Sequence, residues 1–268
     1  MSSDFARKMA SVNFGDKNTW DDWQMVPTER PVISFPGVKT NIINLTGADG
    51  QIDLMDIVVR SPVYANRTGS MTFRMVNTAG AASIASRKNA IAHYLHGVTM
   101  DMVLDDEPEW YYTGKFSVSD VKYKGKGAYA DIVIKYDLEP YKRKRFTTDE
   151  QWLWDPFSFE DGIIYDGLIV NAEVFSTENP LIIDNFDAII GDMTIRPSVV
   201  ISNNITNITF RRYENGTWDG GNGYVYKTGT NVQPSDGTSV GLRFDRNTTK
   251  LSVEGFGKFS LIFRQGAL

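Results

Sequence analysis

The sequence predicts a mainly β protein organised as two β-sandwich domains, and three observations carry that prediction. Apolar residues fall in short runs rich in β-branched and aromatic side chains, cut about every 8–12 residues by Gly, Asn, Asp or Pro. A single segment, 81–95, has helical instead of strand-like spacing. A polar stretch, Lys142-Arg143-Lys144-Arg145 followed by Thr147-Thr148-Asp149-Glu150, separates two series of strands and places a domain break near residue 146.

In chain order, residues 39–45 and 51–59 read as a hairpin around Gly47-Ala48-Asp49-Gly50, where glycine tolerates a positive φ. Residues 71–76 read as a strand with Met71, Phe73 and Met75 on one face. Segment 81–95 is rich in Ala and lacks Gly and Pro. It spaces Ile84, Lys88, Ile91 and Leu95 helically, and Gly97 follows at a C-cap position. Ile84, Ile91 and Leu95 then share a buried face, with Ala85 and Ala92 permitting close approach to a sheet. Strands are expected at 99–104, 110–121 and 128–136, joined by Asp105-Asp106-Glu107-Pro108 and Gly125-Lys126-Gly127. The second half reads as strands at 162–174, 181–183, 193–201, 205–213, 224–227, 240–245 and 250–263, suiting a jelly roll or similar sandwich.

The chain has 268 residues, enough to bury about 70–75% of its unfolded surface without small-protein staples. It has no cysteine, which removes thiol nucleophiles, disulfides and thiolate metal sites and fits synthesis in a reducing cytosol. A net charge of -5 argues against a free nucleic-acid or membrane-surface binder, which would need concentrated Lys and Arg. The opening Met1-Ser2-Ser3-Asp4-Phe5-Ala6 has no signal-peptide pattern, and no run approaches the roughly 18 apolar residues of a membrane helix. Six Asn-x-Ser/Thr sequons, starting at Asn44, Asn66, Asn204, Asn207, Asn215 and Asn247, read as the chance product of an Asn-rich β protein.

Several clusters invite a chemical reading. His93 and His96 stand three apart at a helix end, a spacing compatible with a metal, yet no third ligand is near and cationic imidazole suits a helix C-terminus; no metal is assigned. Asp105, Asp106, Glu107 and Glu109 could supply the two carboxylates of a glycosidase, but their crowding before Pro108 favours solvated turn acids. Asp219-Gly220-Gly221-Asn222-Gly223 lacks the alternating acids and closing Glu of a calcium loop. The run at 142–145 is the sole basic cluster, better suited to a boundary or subunit contact than to nucleic acid. Trp218, Asp219, Asn222 and Tyr224 are the best small-ligand candidate, because sugar sites on β-sandwiches pair a flat aromatic with Asn or Asp; the plainer reading is an aromatic loop anchor. No cofactor or catalytic residue is expected.

A set of phrases in fixed order extends the reading. They are Phe14-Gly15, Arg30-Pro31-Val32-Ile33 with Pro36-Gly37, and Leu45-Thr46-Gly47-Ala48-Asp49-Gly50-Gln51-Ile52-Asp53-Leu54. Tyr64-Ala65-Asn66-Arg67, Tyr94-Leu95-His96-Gly97, and Leu104-Asp105-Asp106-Glu107-Pro108 running into Trp110-Tyr111-Tyr112-Thr113-Gly114-Lys115 come next, then Glu139-Pro140-Tyr141-Lys142 and Trp152-Leu153-Trp154-Asp155-Pro156-Phe157-Ser158-Phe159-Glu160. Together they resemble the distal tail protein family of long-tailed phages infecting Gram-positive bacteria, and the resemblance fades after Glu160. It implies a homohexameric ring at the virion tail tip, made in the bacterial cytoplasm. The first domain, 1–146, would build the ring, meeting the tail tube protein above and the tail-associated hub or lysin protein below. The second, 147–254, would be a galectin-like sandwich pointing outward, with a receptor-binding protein as a further partner, and 255–268 would return to complete the first domain. The rival reading is a carbohydrate-binding module for host cell-wall glycans.

Overall fold

The structure is a computed structural model that describes residues 10–44, 52–54, 62–76, 83–145, 170–201, 207–218, 224–227, 231–232 and 242–268. It is mainly β, with antiparallel sheets and few helices, the class the strand spacing predicts. Two compact units emerge, one of 1–142 with Leu268 and one of 143–267.

The first unit holds β1 (Val12–Phe14), β2 (Lys17–Asn18), β3 (Met25–Pro27), β4 (Ile42–Ile43), β5 (Ile52–Asp53), β6 (Arg67–Val76), β7 (Thr99–Leu104), β8 (Trp110–Lys124) and β9 (Tyr129–Leu138). Seven of them form a sheet in the order β2-β1-β7-β8-β9-β6-β3, all neighbours antiparallel. Alternation along β6 buries Met71, Phe73 and Met75, whose register partners on β9 are Ile134, Ile132 and Ala130, all buried too. Phe14 and Phe116 meet edge to face at 5.0 Å in the same core. Gly114 of β8 permits a close approach of backbone: a Cβ there would stand 2.3 Å from the Asp137 carbonyl oxygen of β9. Of the expected hairpin at 39–59, a two-residue antiparallel ladder between β4 and β5 is seen, and its turn at 47–50 lies outside the described residues.

Helix α1 (Ile84–Leu95) starts later than the expected residue 81, because Ser83 caps it by accepting the Ser86 amide at 3.2 Å. Ile84, Ile91 and Leu95 are buried as the spacing predicts, and Gly97 follows the cap with φ +80°. Two details differ. Arg87, not Lys88, is the charged residue on the buried face, where its Nη1 donates to the Trp23 carbonyl at 3.3 Å. Ala85 is exposed, so close packing on that side does not use it.

The second unit contains β11 (Val170–Ile183), α2 (Phe186–Ile190), β12 (Ser198–Ile201), β13 (Asn207–Glu214), β14 (Thr217–Trp218), β15 (Tyr224–Lys227), β16 (Asn231–Val232), β17 (Thr248–Ile262) and β18 (Gly266–Ala267), with β10 (Lys142–Lys144) at the boundary. Strand β17 is its centre, pairing with β11, β12 and β13. Residues 255–262, expected to return to the first domain, therefore belong to this sheet; only β18 leaves it, to pair with β10. The strands expected at 162–174 and 181–183 run as one, with an irregularity between Ser176 and Leu181; residues 162–169 lie outside the described residues. The strand expected at 240–245 is absent among the described residues. Leu242 and Phe244 alternate because both are buried, and Phe244 makes just an isolated bridge to Ile195.

Candidate functional site

Trp218 sits at the end of a tight hairpin. Asn215 and Gly216 both have positive φ, 51° and 84°, the backbone that turns β13 into β14 with the twist of the flanking strands. This turn places Trp218 opposite Tyr213, the rings edge to face at 5.2 Å. Trp218 remains 39% exposed, so part of its indole meets solvent on a supported strand end. Nearby polar groups are committed: Glu214 accepts from the Thr248 hydroxyl at 2.7 Å and from Arg212 at 2.9 Å. Tyr224 begins β15 opposite Phe210, while Asp219 and Asn222, with the Gly-rich loop at 219–223, lie outside the described residues. The four candidate residues are thus only partly placed.

In the first unit the acidic turn resolves into separate pairs. Asp105 accepts from the Ser11 amide at 3.2 Å and from its hydroxyl at 2.5 Å. Asp106 pairs with Arg30 at 2.6 Å. Glu107 accepts from Lys142 Nζ at 3.0 Å and from the Tyr112 hydroxyl at 3.2 Å. Three carboxylates with three separate sets of partners tie Ser11, Arg30 and Lys142 to one turn. Lys142 is also held over the Trp110 ring at 5.2 Å, so the basic run begins with a packed cation. His93 and His96 are exposed, and no group of three potential ligands gathers among the described residues.

Two charged clusters escaped the sequence reading. Asp131 is buried on β9 directly opposite Arg74 of β6, which grips it at 2.7 and 3.1 Å, and Lys124 adds a contact at 2.7 Å. The Arg74 hydrogen bond first, then Lys124, holds the Asp131 carboxyl down at about 2 despite its burial. Arg67 is buried at the start of β6, its Nε donating to the Pro140 carbonyl at 2.9 Å and its Nη1 to the Ser34 carbonyl at 3.3 Å. Its guanidinium lies over the Tyr112 ring, 5.4 Å from the centroid; burial pulls the Arg67 basicity below the ordinary guanidinium value and pushes the Tyr112 hydroxyl up. Arg67 is in phase with Met71, Phe73 and Met75 along β6, so a charge at an inward position was its available signal, whereas Asp131 is out of phase with Ala130, Ile132 and Ile134 and offered none.

Neither protein families nor curated proteins match the chain. Among solved structures, the SPP1 Dit protein, described as a paradigm of the hub adsorption apparatus in phages infecting Gram-positive bacteria, is similar with a TM-score of 0.60 at 12% identity, over 96% of this chain and 99% of that one. Two structures of the phage p2 baseplate in its activated conformation, with Sr and with Ca, align over 94% of this chain and 90% of theirs at 12% and 13% identity. Their TM-scores of 0.27 and 0.29 are too low to bear on the fold.

Proposed function

We propose that the chain is an architectural, non-catalytic component of a phage tail tip, a homohexameric ring joining the tail tube to the hub and adhesion apparatus. The observation that carries this reading is the end-to-end match of fold with a hub protein, 96% of one chain against 99% of the other. The ordered phrases between Phe14 and Glu160 support it independently, since they were read from residues and not from shape. The separate pairing of Asp105, Asp106 and Glu107 supports an architectural use of the acids. On this reading residues 1–146 form the ring and 147–254 the galectin-like peripheral domain, with tail tube protein, hub or lysin protein and receptor-binding protein as neighbours. The protein would be made in the host cytoplasm and end in the virion. Gold-labelled antibody against the chain is expected to mark the tail end distal to the capsid; label on capsid or shaft, or none on the particle, refutes the proposal.

A second reading, a carbohydrate-binding module for wall glycans, has one observation in its favour: the exposed Trp218 propped on Tyr213. Stacking on a sugar would use that face. Retention of the purified chain on host wall glycan, abolished by Trp218→Ala, would establish it; no retention rejects it.

A further inference from the structure

We propose that the solvent face of the second unit's sheet is a binding track for an uncharged oligosaccharide, running from Trp218 to Phe256. This track lies outside the tail-tip reading and rests on the carbohydrate reading of Trp218, which it extends from one side chain to a face. Strand register places the residues on that one face. Along β17, Leu251 and Val253 point into the core, as do Ile208 and Phe210 of β13. The alternate positions, Lys250, Glu254 and Phe256 on β17 with Arg211 and Tyr213 on β13, therefore stand on the opposite side.

One row across the sheet reads Asp184, Lys250, Tyr213, Trp218. Lys250 reaches Asp184 at 2.6 Å, Tyr213 is the register partner of Lys250, and Trp218 is the partner of Tyr213 on its other side. From Lys250 to Phe256 the strand rises roughly 20 Å, and Trp218 lies two strands across, roughly 10 Å. Phe256 is 52% exposed. Gly255 and Gly257 flank it at φ 135° and 116°, backbone that favours glycine, so this ring is presented by a strand and not by a loop. Between the two aromatic ends, the Arg211 Nε stands 3.5 Å from Glu254 and makes no hydrogen bond among the described residues.

The charges select the class of ligand. Arg211 with Glu254 and Lys250 with Asp184 set each cation beside a carboxylate, which leaves the track without net charge among the described residues and gives a polyanion nothing to seek. Arginine and lysine only donate and carboxylates only accept, whereas a sugar hydroxyl does both. A strip that mixes donors and acceptors between two aromatic ends is complementary to a chain of hydroxylated rings, whose C–H faces stack on the aromatics and whose hydroxyls meet the paired charges. Its length calls for an oligosaccharide instead of a single sugar.

Uncharged glucans, galactans, rhamnans and N-acetylglucosamine polymers, each arrayed from monosaccharide to long oligomer beside a polyol phosphate polymer, are probed with the full chain and with Trp218→Ala and Phe256→Ala. Wild type is expected to retain at least one uncharged series, more tightly as the oligomer lengthens. Each variant, checked by melting, should bind on the order of tenfold more weakly. The length dependence is read on wild type, so it decides the matter even if a variant folds poorly. Affinity that does not rise with length, or loss with Trp218→Ala but not with Phe256→Ala, overturns the track and leaves the single-indole reading standing. Retention of polyol phosphate alone overturns the ligand class, and no retention overturns track and carbohydrate reading together. None of these removes the chain from the tail tip, which the antibody label decides separately.

Discussion

Asp131 gathers two cations on one carboxylate of the first unit. Its side chain is 9% exposed and receives Arg74 and Lys124 together, so its folded pKa of about 2 lies below that of an unfolded aspartate. Stability from this group is therefore fully present above about pH 4 and is lost as pH falls through about 2. Both cations are nearly half exposed, which reduces the contribution to on the order of 1–2 kcal/mol. Asp131→Asn is expected to lower the unfolding free energy measured in urea at pH 7 by that amount, with a lower midpoint, and to flatten the acid limb of stability against pH. An unchanged midpoint contradicts the pairing. Changing His93 and His96 together to Ala is expected to leave the melting temperature within about 1 °C, because both are exposed, and elemental analysis of the purified chain is expected to find no stoichiometric zinc. Trp218 could be picked from sequence because an aromatic beside a glycine-rich turn is a visible pattern. The partners of Asp131 and Arg67 were not visible, because they lie 57 and 73 residues away.

Elements with many residues in register were legible, and short ones were not. Strands β7, β8 and β9 lie where alternation places them, since each has one face on the core and one outside. Strands β1 and β3 have three residues and helix α2 has five, too few to display a period. Residues 240–245 mislead in the opposite direction: burial of Leu242 and Phe244 produces alternation without a ladder. Helix α1 was legible from Ile84, Ile91 and Leu95, although its start depends on the Ser83 cap. Ile91 is fully buried, so Ile91→Asp should destabilise the first unit by several kcal/mol, read by thermal melting; a normal melt contradicts the packing. Gly114→Ala should cost about 1–3 kcal/mol, because its Cβ would meet strand backbone that cannot step aside. Equal stability of that variant would mean β8 and β9 are further apart than described.

At the scale of the whole molecule, the proposed tail-tip role draws on two separate likenesses, one of sequence phrases and one of fold. The ordered phrases stop at Glu160, whereas the fold match continues through 96% of the chain. What neither carries is assembly, because sheet edges acquire meaning only beside a neighbour. A ring of six would weigh six times 30.1 kDa, about 181 kDa, with the same face of every subunit buried on the next. The most direct measurement is the position and symmetry of this chain in intact particles by electron microscopy. The account predicts a sixfold ring at the tail tip, between the tube and the hub; the chain in any copy number other than a multiple of six, or anywhere else in the virion, contradicts it.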